Sequence, residues 1–312
     1  MSTTQYARTL SLAFAGSALS LLIAATALAD SPHPQETTQP AADTAAALPL
    51  NLADLRTRCD FSLRTPLDAV IDACIKVREA AGNNTALRAW AIAHEGLAYG
   101  RMASGGSADE QAALAARSVE RYREAIKTDP KEPTAYRYLG DHFYDTDAKQ
   151  AISNYQLAAA LTQQDDVGMD NLKAAWLYDR EKDYRNAAII YTALIDEKKG
   201  GPVYRGASLY AMRGASYEKL GELDLAAADI NEAIRLEANN ITNYTNRGNV
   251  LRKLGQLKNA LADFDYVLAR DQDARAFLGR GLVRRQLGDA SGADADIARA
   301  AALKPRLSEA DL

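Results

Sequence analysis

The amino-acid sequence predicts an all-α fold in which antiparallel helix pairs stack into a solenoid. The first observation is repetition: the stretch from Tyr210 to Ile234, "YAMRGASYEKLGELDLAAADINEAI", returns as "YTNRGNVLRKLGQLKNALADFDYVL" from Tyr244 to Leu268. The second is that each copy holds two apolar stripes at helical spacing, separated by a Leu-Gly pair. Because one helical hairpin cannot bury its own apolar face, we expect the copies to stack.

Small residues mark fixed places in each copy. Within a unit, a small residue stands eighth, a Leu-Gly pair fourteenth and fifteenth, an alanine twentieth and an apolar residue twenty-fourth. The small residues are Gly214, Gly248 and Gly281 at position 8, Gly221, Gly255 and Gly288 at position 15, and Ala226, Ala260 and Ala293 at position 20. We expect positions 8 and 20 to face each other, because only small side chains let two helices approach closely.

The N-terminal end predicts export. Residues 1–29 carry one charge, Arg8, followed by an apolar stretch, and the small-residue ending at Ala29 fits a signal-peptide cleavage pattern. We expect cleavage after Ala29, with an uncleaved anchor helix as the alternative. Residues 30–49, rich in Pro, Ala and Thr, are expected to form a disordered spacer. No later apolar run approaches the roughly 20 residues that cross a bilayer, so no stable membrane insertion is expected after cleavage.

The cysteines predict a disulfide. Cys59 and Cys74 are fifteen residues apart in a chain that is expected to be exported, and oxidising compartments favour such a bridge. Closing a loop of this length stabilises a fold by roughly 3 kcal/mol. Two buried free thiols are the alternative. We expect the bridge to hold together residues 50–84, a degenerate N-terminal cap.

The repeats resemble the tetratricopeptide repeat family. Two units match the family pattern at nearly every position, and a third ends on the expected Pro305. Weaker copies precede them, with matching residues at Tyr136, Gly140, Phe143, Ala151, Tyr155 and Ala158 in one unit and at Ala175, Tyr178, Ala187 and Tyr191 in another. A further copy is split between residues 90–99 and 118–130. The resemblance covers about six repeats over residues 85–307, followed by a tail at 308–312.

This resemblance implies a right-handed superhelix whose concave groove is lined by the first helix of each pair. The "RG" and "AxxD" motifs are also similar to those of exported bacterial members, which implies a periplasmic or secreted protein. In the family, positions 2, 5, 6, 9, 12 and 13 face the groove. The candidate binding residues at such positions are Arg137, Tyr138, Asp141, Lys173, Trp176, Asn246, Asn249 and Arg252.

The groove candidates predict a binding surface in two parts. We expect an aromatic pocket around Tyr138 and Trp176, because aromatic side chains often anchor interfaces. A polar, basic stretch around Asn246 and Arg252 would follow, because asparagine both donates to and accepts from a peptide backbone. The alternative is that the two aromatic rings pack between helices. A clamp for chaperone C-terminal carboxylates, which some family members form, is disfavoured because Ala211 occupies a required position.

Positions 7 and 23 of a repeat are either both charged or both uncharged. The pairs are Arg213 with Asp229, Arg247 with Asp263, and Arg280 with Asp296 in the three C-terminal units. The two preceding units carry Leu139 with Asn154 and Ala174 with Ile190. We therefore predict partly buried, hydrogen-bonded ion pairs across a hairpin or to its neighbour. A ligand site is the alternative.

The sequence predicts no catalytic chemistry. It contains no nucleophile elbow, zinc-protease motif or phosphate-binding loop, and its histidines are scattered. We therefore expect no enzyme activity, no cofactor and no metal. A formal net charge of −4 argues against nucleic acid as a partner.

These observations favour a non-catalytic protein–protein interaction scaffold of the bacterial periplasm, which holds a peptide or partner protein in its concave groove. The alternative comes from a different functional class. It is an accessory factor in envelope biogenesis whose groove contacts glycan or peptidoglycan.

Overall fold

A computed structural model describes residues 51–60, 65–162, 167–196 and 206–312. The predicted signal peptide at residues 1–29 and the spacer at 30–49 lie outside these residues. Within the described part of the chain the regular structure is helical, and no strand occurs. The helices are α1 (Leu52–Cys59), α2 (Leu67–Ala80), α3 (Thr85–Met102), α4 (Ala108–Thr128), α5 (Pro133–Phe143), α6 (Ala148–Leu161), α7 (Val167–Arg180), α8 (Tyr184–Asp196), α9 (Ala207–Leu220), α10 (Leu223–Leu236), α11 (Ile241–Lys253), α12 (Leu257–Leu268), α13 (Ala274–Gln286) and α14 (Ala290–Leu303).

The helices form consecutive pairs that stack in chain order. Each helix packs mainly against its neighbours in sequence, and α11 also contacts α9 and α13. The first helices of adjacent pairs therefore line one common surface. This arrangement is the all-α repeat solenoid that the sequence predicts, in which each unit is stabilised by the units beside it.

The turn inside each C-terminal pair depends on a left-handed residue. Gly221, Gly255 and Gly288 have φ values of 79°, 74° and 88°. The residue after each glycine donates its backbone N–H five residues back, as from Glu222 to Tyr217 O at 2.9 Å. This hydrogen bond belongs to the Schellman motif, which ends one helix and reverses the chain. The glycines at position 15 are thus explained by backbone conformation.

Glycine at position 8 makes room for a large side chain. A Cβ added at Gly248 would lie 2.8 Å from Phe264, and one at Gly140 would lie 2.6 Å from Tyr155. The facing side chain thus comes from position 24. At Gly214, the alanine at position 20 contributes its backbone oxygen, 3.3 Å from the added Cβ. The expected contact between positions 8 and 20 therefore involves the backbone, and the aromatic or Ile residue at position 24 fills the space.

The first pair is closed by a disulfide between Cys59, the last residue of α1, and Cys74 in α2. Both sulfur-bearing residues are fully buried, and their Cα atoms are 4.8 Å apart. Around them, Val70 and Val77 pack in one cluster with residues of α3, including Ala91. The first helix pair is therefore part of the stack, and its bridge closes the end of the described solenoid.

Lys182, in the turn between α7 and α8, provides a test of the turn geometry. It has φ 62° at the place where the later turns have glycine, and Asp183 donates to Tyr178 O at 2.8 Å as in those turns. A side chain in the left-handed region costs roughly 1–2 kcal/mol. We expect Lys182→Gly to raise the free energy of unfolding by about 1 kcal/mol, after the entropic cost of glycine, as measured by urea denaturation.

The matched control is the reverse substitution in the turn between α9 and α10. Gly221 has no atom within 4 Å of an added Cβ, so Gly221→Lys changes backbone strain without a steric clash. It should lower the free energy of unfolding by a similar amount. A Lys182→Gly protein that is no more stable than the parent would contradict this account.

Candidate interaction groove

In each of the three C-terminal units, an arginine on the first helix bonds to two second helices. Arg247 on α11 donates from Nε and Nη2 to the two carboxylate oxygens of Asp263 on α12, at 2.8 and 2.7 Å. Its Nη1 donates to Asn231 Oδ1 on α10 at 2.9 Å. The same pattern joins Arg213 to Asp229 and Thr192, and Arg280 to Asp296 and Asp265. Each arginine therefore links its own hairpin to the preceding one.

These arginine–aspartate pairs are shielded from solvent. Asp263 is 5% exposed, and the Arg247 guanidinium lies over the Tyr244 ring at 5.3 Å from its centroid. Hydrogen bonds with Asp263 raise the pKa of Arg247, so its positive charge is firmly held. Because the guanidinium donates to fixed partners inside the stack, this geometry favours structural pairing over a ligand site.

A second set of polar contacts connects successive first helices. Each contact joins an acidic residue on one first helix to a donor on the next. The contacts are Lys173 Nζ to Asp141 at 2.5 Å, Ser216 Oγ to Asp179 at 2.8 Å, and Lys253 Nζ to Glu218 at 2.8 Å. The candidate residues Asp141 and Lys173 are therefore already bonded to each other. Their ion pair joins α5 to α7, so both charges are used inside the fold.

Arg137 has a similar structural role. Its guanidinium donates to both carboxylate oxygens of Asp170, with the shortest distance 2.8 Å from Nη2 to Oδ2. Asp170 is fully buried and lies on α7, whereas Arg137 lies on α5. Removing this arginine would leave a buried carboxylate without its cation. We therefore assign Arg137 to inter-pair packing, in place of the predicted binding role.

The predicted aromatic pocket is not assembled among the described residues. The Tyr138 ring packs against Tyr122 and His94, with centroids 5.7 and 5.6 Å away. Trp176 lies in a different hydrophobic cluster and donates from Nε1 to Met212 Sδ at 3.5 Å. Burial raises the pKa of the Tyr138 hydroxyl, which lies 3.3 Å from His94 Nε2. Both rings pack between helices, which was the alternative interpretation of the sequence.

Part of the predicted polar stretch lines an open cavity. This groove cavity, about 350 Å³ in volume, lies between α9 and α11. Its lining residues are Ala207, Ser208, Ala211, Met212, Ala215, Asn240, Thr242, Asn243 and Asn246. Small side chains on α9 thus face amide and hydroxyl side chains on α11. Of the predicted site, Asn246 belongs to this cavity.

Sequence reasoning missed several of these lining residues. Ala211 served only as evidence against a carboxylate clamp, yet its small size and that of Ala215 leave room for the cavity. Asn243, 3% exposed, has a side-chain nitrogen without a hydrogen-bond partner, and so does Asn249, which is fully buried. The available signal was the run of polar residues on the first helix of this unit, at places where α9 has Leu209, Ala211, Met212 and Ala215.

Arg252 contacts the C-terminal end of the chain. It is 7% exposed, and its Nη1 lies 3.0 Å from Glu309 Oε1. Its Nε is buried and has no hydrogen-bond partner. The predicted basic stretch is therefore partly covered by residues that follow the last repeat.

The described residues contain no group of His, Cys, Asp or Glu side chains arranged to hold a metal ion. The buried His94 donates from Nδ1 to Trp90 O at 2.9 Å, and burial lowers its pKa. It packs between aromatic rings, with Asp60 Oδ1 at 3.3 Å. Among the helices that the structure describes, none is both long and apolar enough to span a bilayer.

Comparisons with known proteins agree with the repeat geometry. Residues 207–240 and 245–308 each match a family model described as tetratricopeptide repeat. Over 62 residues the chain is 40% identical to Protein DIA2 of Eremothecium gossypii. That match covers 20% of this chain and 9% of the relative, so the chain spans less than a tenth of that protein.

Several solved structures are similar to this chain. PilW, described as a widely conserved type IV pilus biogenesis factor, matches with a TM-score of 0.50 and 18% identity, covering 69% of this chain and 96% of PilW. YrrB, described as having an unusual peptide-binding site, gives a TM-score of 0.47 and 20% identity, covering 60% of this chain and 94% of YrrB. At such identities, the likeness to PilW shows the fold alone.

The arginine–aspartate pairs predict strong energetic coupling. Removing either Arg247 or Asp263 leaves its partner unpaired in a mostly buried site, which costs about 3–5 kcal/mol. We expect Arg247→Ala and Asp263→Ala each to lower the free energy of unfolding by about this amount. The double variant should lose much less than the sum, as measured in a double-mutant cycle by chemical denaturation.

The exposed pair Arg235–Glu232 serves as the control. Its Nη2–Oε1 distance is 2.6 Å, but the arginine side chain is 67% exposed. Solvent screening should make its coupling much weaker than that of the Arg247–Asp263 pair. Equal coupling in the two cycles would show that burial does not strengthen the Arg247–Asp263 pair.

Proposed function

This chain belongs to the tetratricopeptide repeat family, and we propose that it is a non-catalytic scaffold of the bacterial periplasm that binds a peptide segment of a partner protein. The fold is typically an interaction scaffold without catalysis, and its repeats support protein–protein interaction. The observation that carries the peptide proposal is the groove cavity between α9 and α11. Of the other groove candidates, Asn249 is fully buried, and the rest already have partners within the fold.

The chemistry of the groove cavity suits an extended peptide. Asn246 supplies an amide that can donate to a backbone carbonyl and accept from a backbone N–H. Ala211 and Ala215 offer an apolar floor that can take a small side chain of the peptide. A concave, partly apolar site with a few placed polar groups is the usual form of a binding pocket.

The disulfide supports the proposed location. A bridge between Cys59 and Cys74 is stable in an oxidising compartment and uncommon in the bacterial cytoplasm.

We expect mass spectrometry of the periplasmic fraction to find a mature chain that begins at Asp30. Its cysteines should resist alkylation until a reductant is added. Recovery of an uncleaved chain with alkylated cysteines would contradict export.

The binding proposal is tested by filling the groove cavity. Ala215 is exposed on α9 and lines the cavity, so Ala215→Trp should block a peptide without disturbing the buried core. Asn246→Ala removes the amide. We expect both variants, exported and mildly crosslinked, to recover at least about tenfold less partner than the parent, which corresponds to a loss of about 1.4 kcal/mol.

The matched control is Ala262→Trp on α12. Ala262 is also an exposed helical alanine, and it lines a different cavity of about 370 Å³ with Asn231 and Arg247. This variant should capture the partner as the parent does. Equal capture by Ala215→Trp and Ala262→Trp would reject the groove cavity as the site. Sedimentation with cell-wall glycan that Ala215→Trp abolishes, without a captured protein, would favour the glycan alternative instead.

A further inference from the structure

The C-terminal segment Arg306–Leu312 folds back onto the first helices. It follows α14 and includes a short 3-10 turn, Glu309–Asp311, which contacts α13. Ser308 stabilises the turn, because its backbone N–H and hydroxyl donate to Asp311 Oδ2 at 2.7 and 2.8 Å. A chain end is usually mobile unless specific contacts hold it. Here Leu307, Glu309 and Leu312 have contacts within the fold.

Leu312 anchors the segment by its apolar side chain. Although it is the last residue of the chain, it is 2% exposed and packs in one cluster with Leu278 of α13. Leu282 and Leu307 pack against the same cluster. Leu278 and Leu282 occupy the fifth and ninth positions of their unit, which face the groove in the family pattern. The segment thus covers an apolar part of the first-helix surface.

Glu309 supplies the charged contact of the segment. Its side chain remains 60% exposed, yet its Oε1 lies 3.0 Å from Nη1 of Arg252, whose side chain is 6% exposed. The buried Arg252 Nε has no partner, and neither amide atom of the fully buried Asn249 has one. The segment therefore satisfies this polar site only in part. A peptide that fills it more completely has hydrogen bonds to gain.

Asp311 adds a second negative charge near basic residues of the groove. Hydrogen bonds from Ser308 lower the pKa of Asp311, and the positive charges of Lys304 and Lys219 lower it further. Lys219 lies near the end of α9, two pairs before the last helix pair. The negative charges of the segment thus lie within electrostatic reach of Lys219 on α9 and in contact with Arg252 on α11.

We propose that the C-terminal segment is a built-in occupant of the groove, and that its site on α11 and α13 accepts an acidic peptide with an apolar side chain three residues after its glutamate. The proposal rests on the groove function proposed above and names the chemistry of the ligand. The pairing of Glu309 with Arg252 and the burial of Leu312 on Leu278 define what the site recognises. A partner peptide of this kind has to displace the segment.

Covalent attachment determines how strongly the segment competes. A short tether holds a ligand at an effective concentration on the order of millimolar near its site. The affinity of an outside peptide falls in proportion to the fraction of molecules in which the site is open. Releasing the segment should therefore increase the affinity for an added peptide by roughly tenfold or more.

The test uses the full chain and a synthetic peptide of residues 306–312, RLSEADL, labelled at its N-terminus. The releasing variant carries Glu309→Lys and Leu312→Asp, which remove the charge contact and the apolar anchor. We expect fluorescence anisotropy to show at least tenfold tighter peptide binding to this variant than to the parent. The control Ala310→Lys changes an exposed residue of the same segment and should bind as weakly as the parent.

Charge exchange tests the specificity of the site. Adding Arg252→Glu to the releasing variant should abolish binding of RLSEADL, and a peptide with arginine in place of Glu309 should restore part of it. Equal binding of RLSEADL by the parent and the releasing variant would overturn the proposal. The proposal would also be overturned if the releasing variant had the same melting temperature as the parent but did not bind RLSEADL.

A lower melting temperature of the releasing variant has its own readout. If added RLSEADL restores the melting temperature, the segment acts as a ligand and the proposal holds. If it does not, the segment is only a structural cap and the proposal fails. The groove function is judged separately, because Ala215→Trp probes partner capture at the cavity between α9 and α11. If Ala215→Trp loses partner capture but RLSEADL does not bind the releasing variant, the proposal of a built-in occupant is overturned and the groove function is not.

Discussion

The C-terminal half of this solenoid depends on a guanidinium that is shared between hairpins. An arginine at position 7 closes its own hairpin through a bidentate aspartate and reaches the second helix of the preceding pair, as Arg247 does with Asp263 and Asn231. The planar fork of arginine can serve two such partners at fixed angles, which a lysine cannot do. One residue type therefore sets both the closure of a unit and its register against the next.

The N-terminal half reaches the same end with different chemistry. In the two units before the three C-terminal ones, Leu139 and Ala174 stand at the position of Arg247, and the pairs are joined by Arg137 with Asp170 and by Asp179, which accepts hydrogen bonds from Tyr191 and Ser216. These contacts hold the charged side chains of Arg137, Asp170 and Asp179 inside the stack. The cavity that we propose for a partner is lined instead by amide and small side chains around Asn246.

The features that the sequence predicted correctly depend on contacts within one hairpin. The glycine at position 8 is explained by a close contact within one hairpin, and the glycine at position 15 by the left-handed backbone of the turn. The joint occurrence of arginine and aspartate reflects a contact between residues that are sixteen apart in sequence. The roles of Tyr138 and Trp176 could not be predicted in this way, because neighbouring units decide whether a first-helix ring faces the groove or the next helix. The contact between Arg252 and Glu309 joins a repeat helix to the segment after the last repeat, so the repeat spacing could not predict it.

The disulfide of the first pair gives the solenoid two unlike ends. In a stack whose units are stabilised by their neighbours, unravelling starts at a terminal unit. The bridge between Cys59 and Cys74 prevents the first two helices from separating fully even when their packing is lost. At the other end, Leu312 and Glu309 hold the last pair by noncovalent contacts alone. Among the described helix pairs, we therefore expect α13 and α14 to separate before α1 and α2 under a pulling force or a protease.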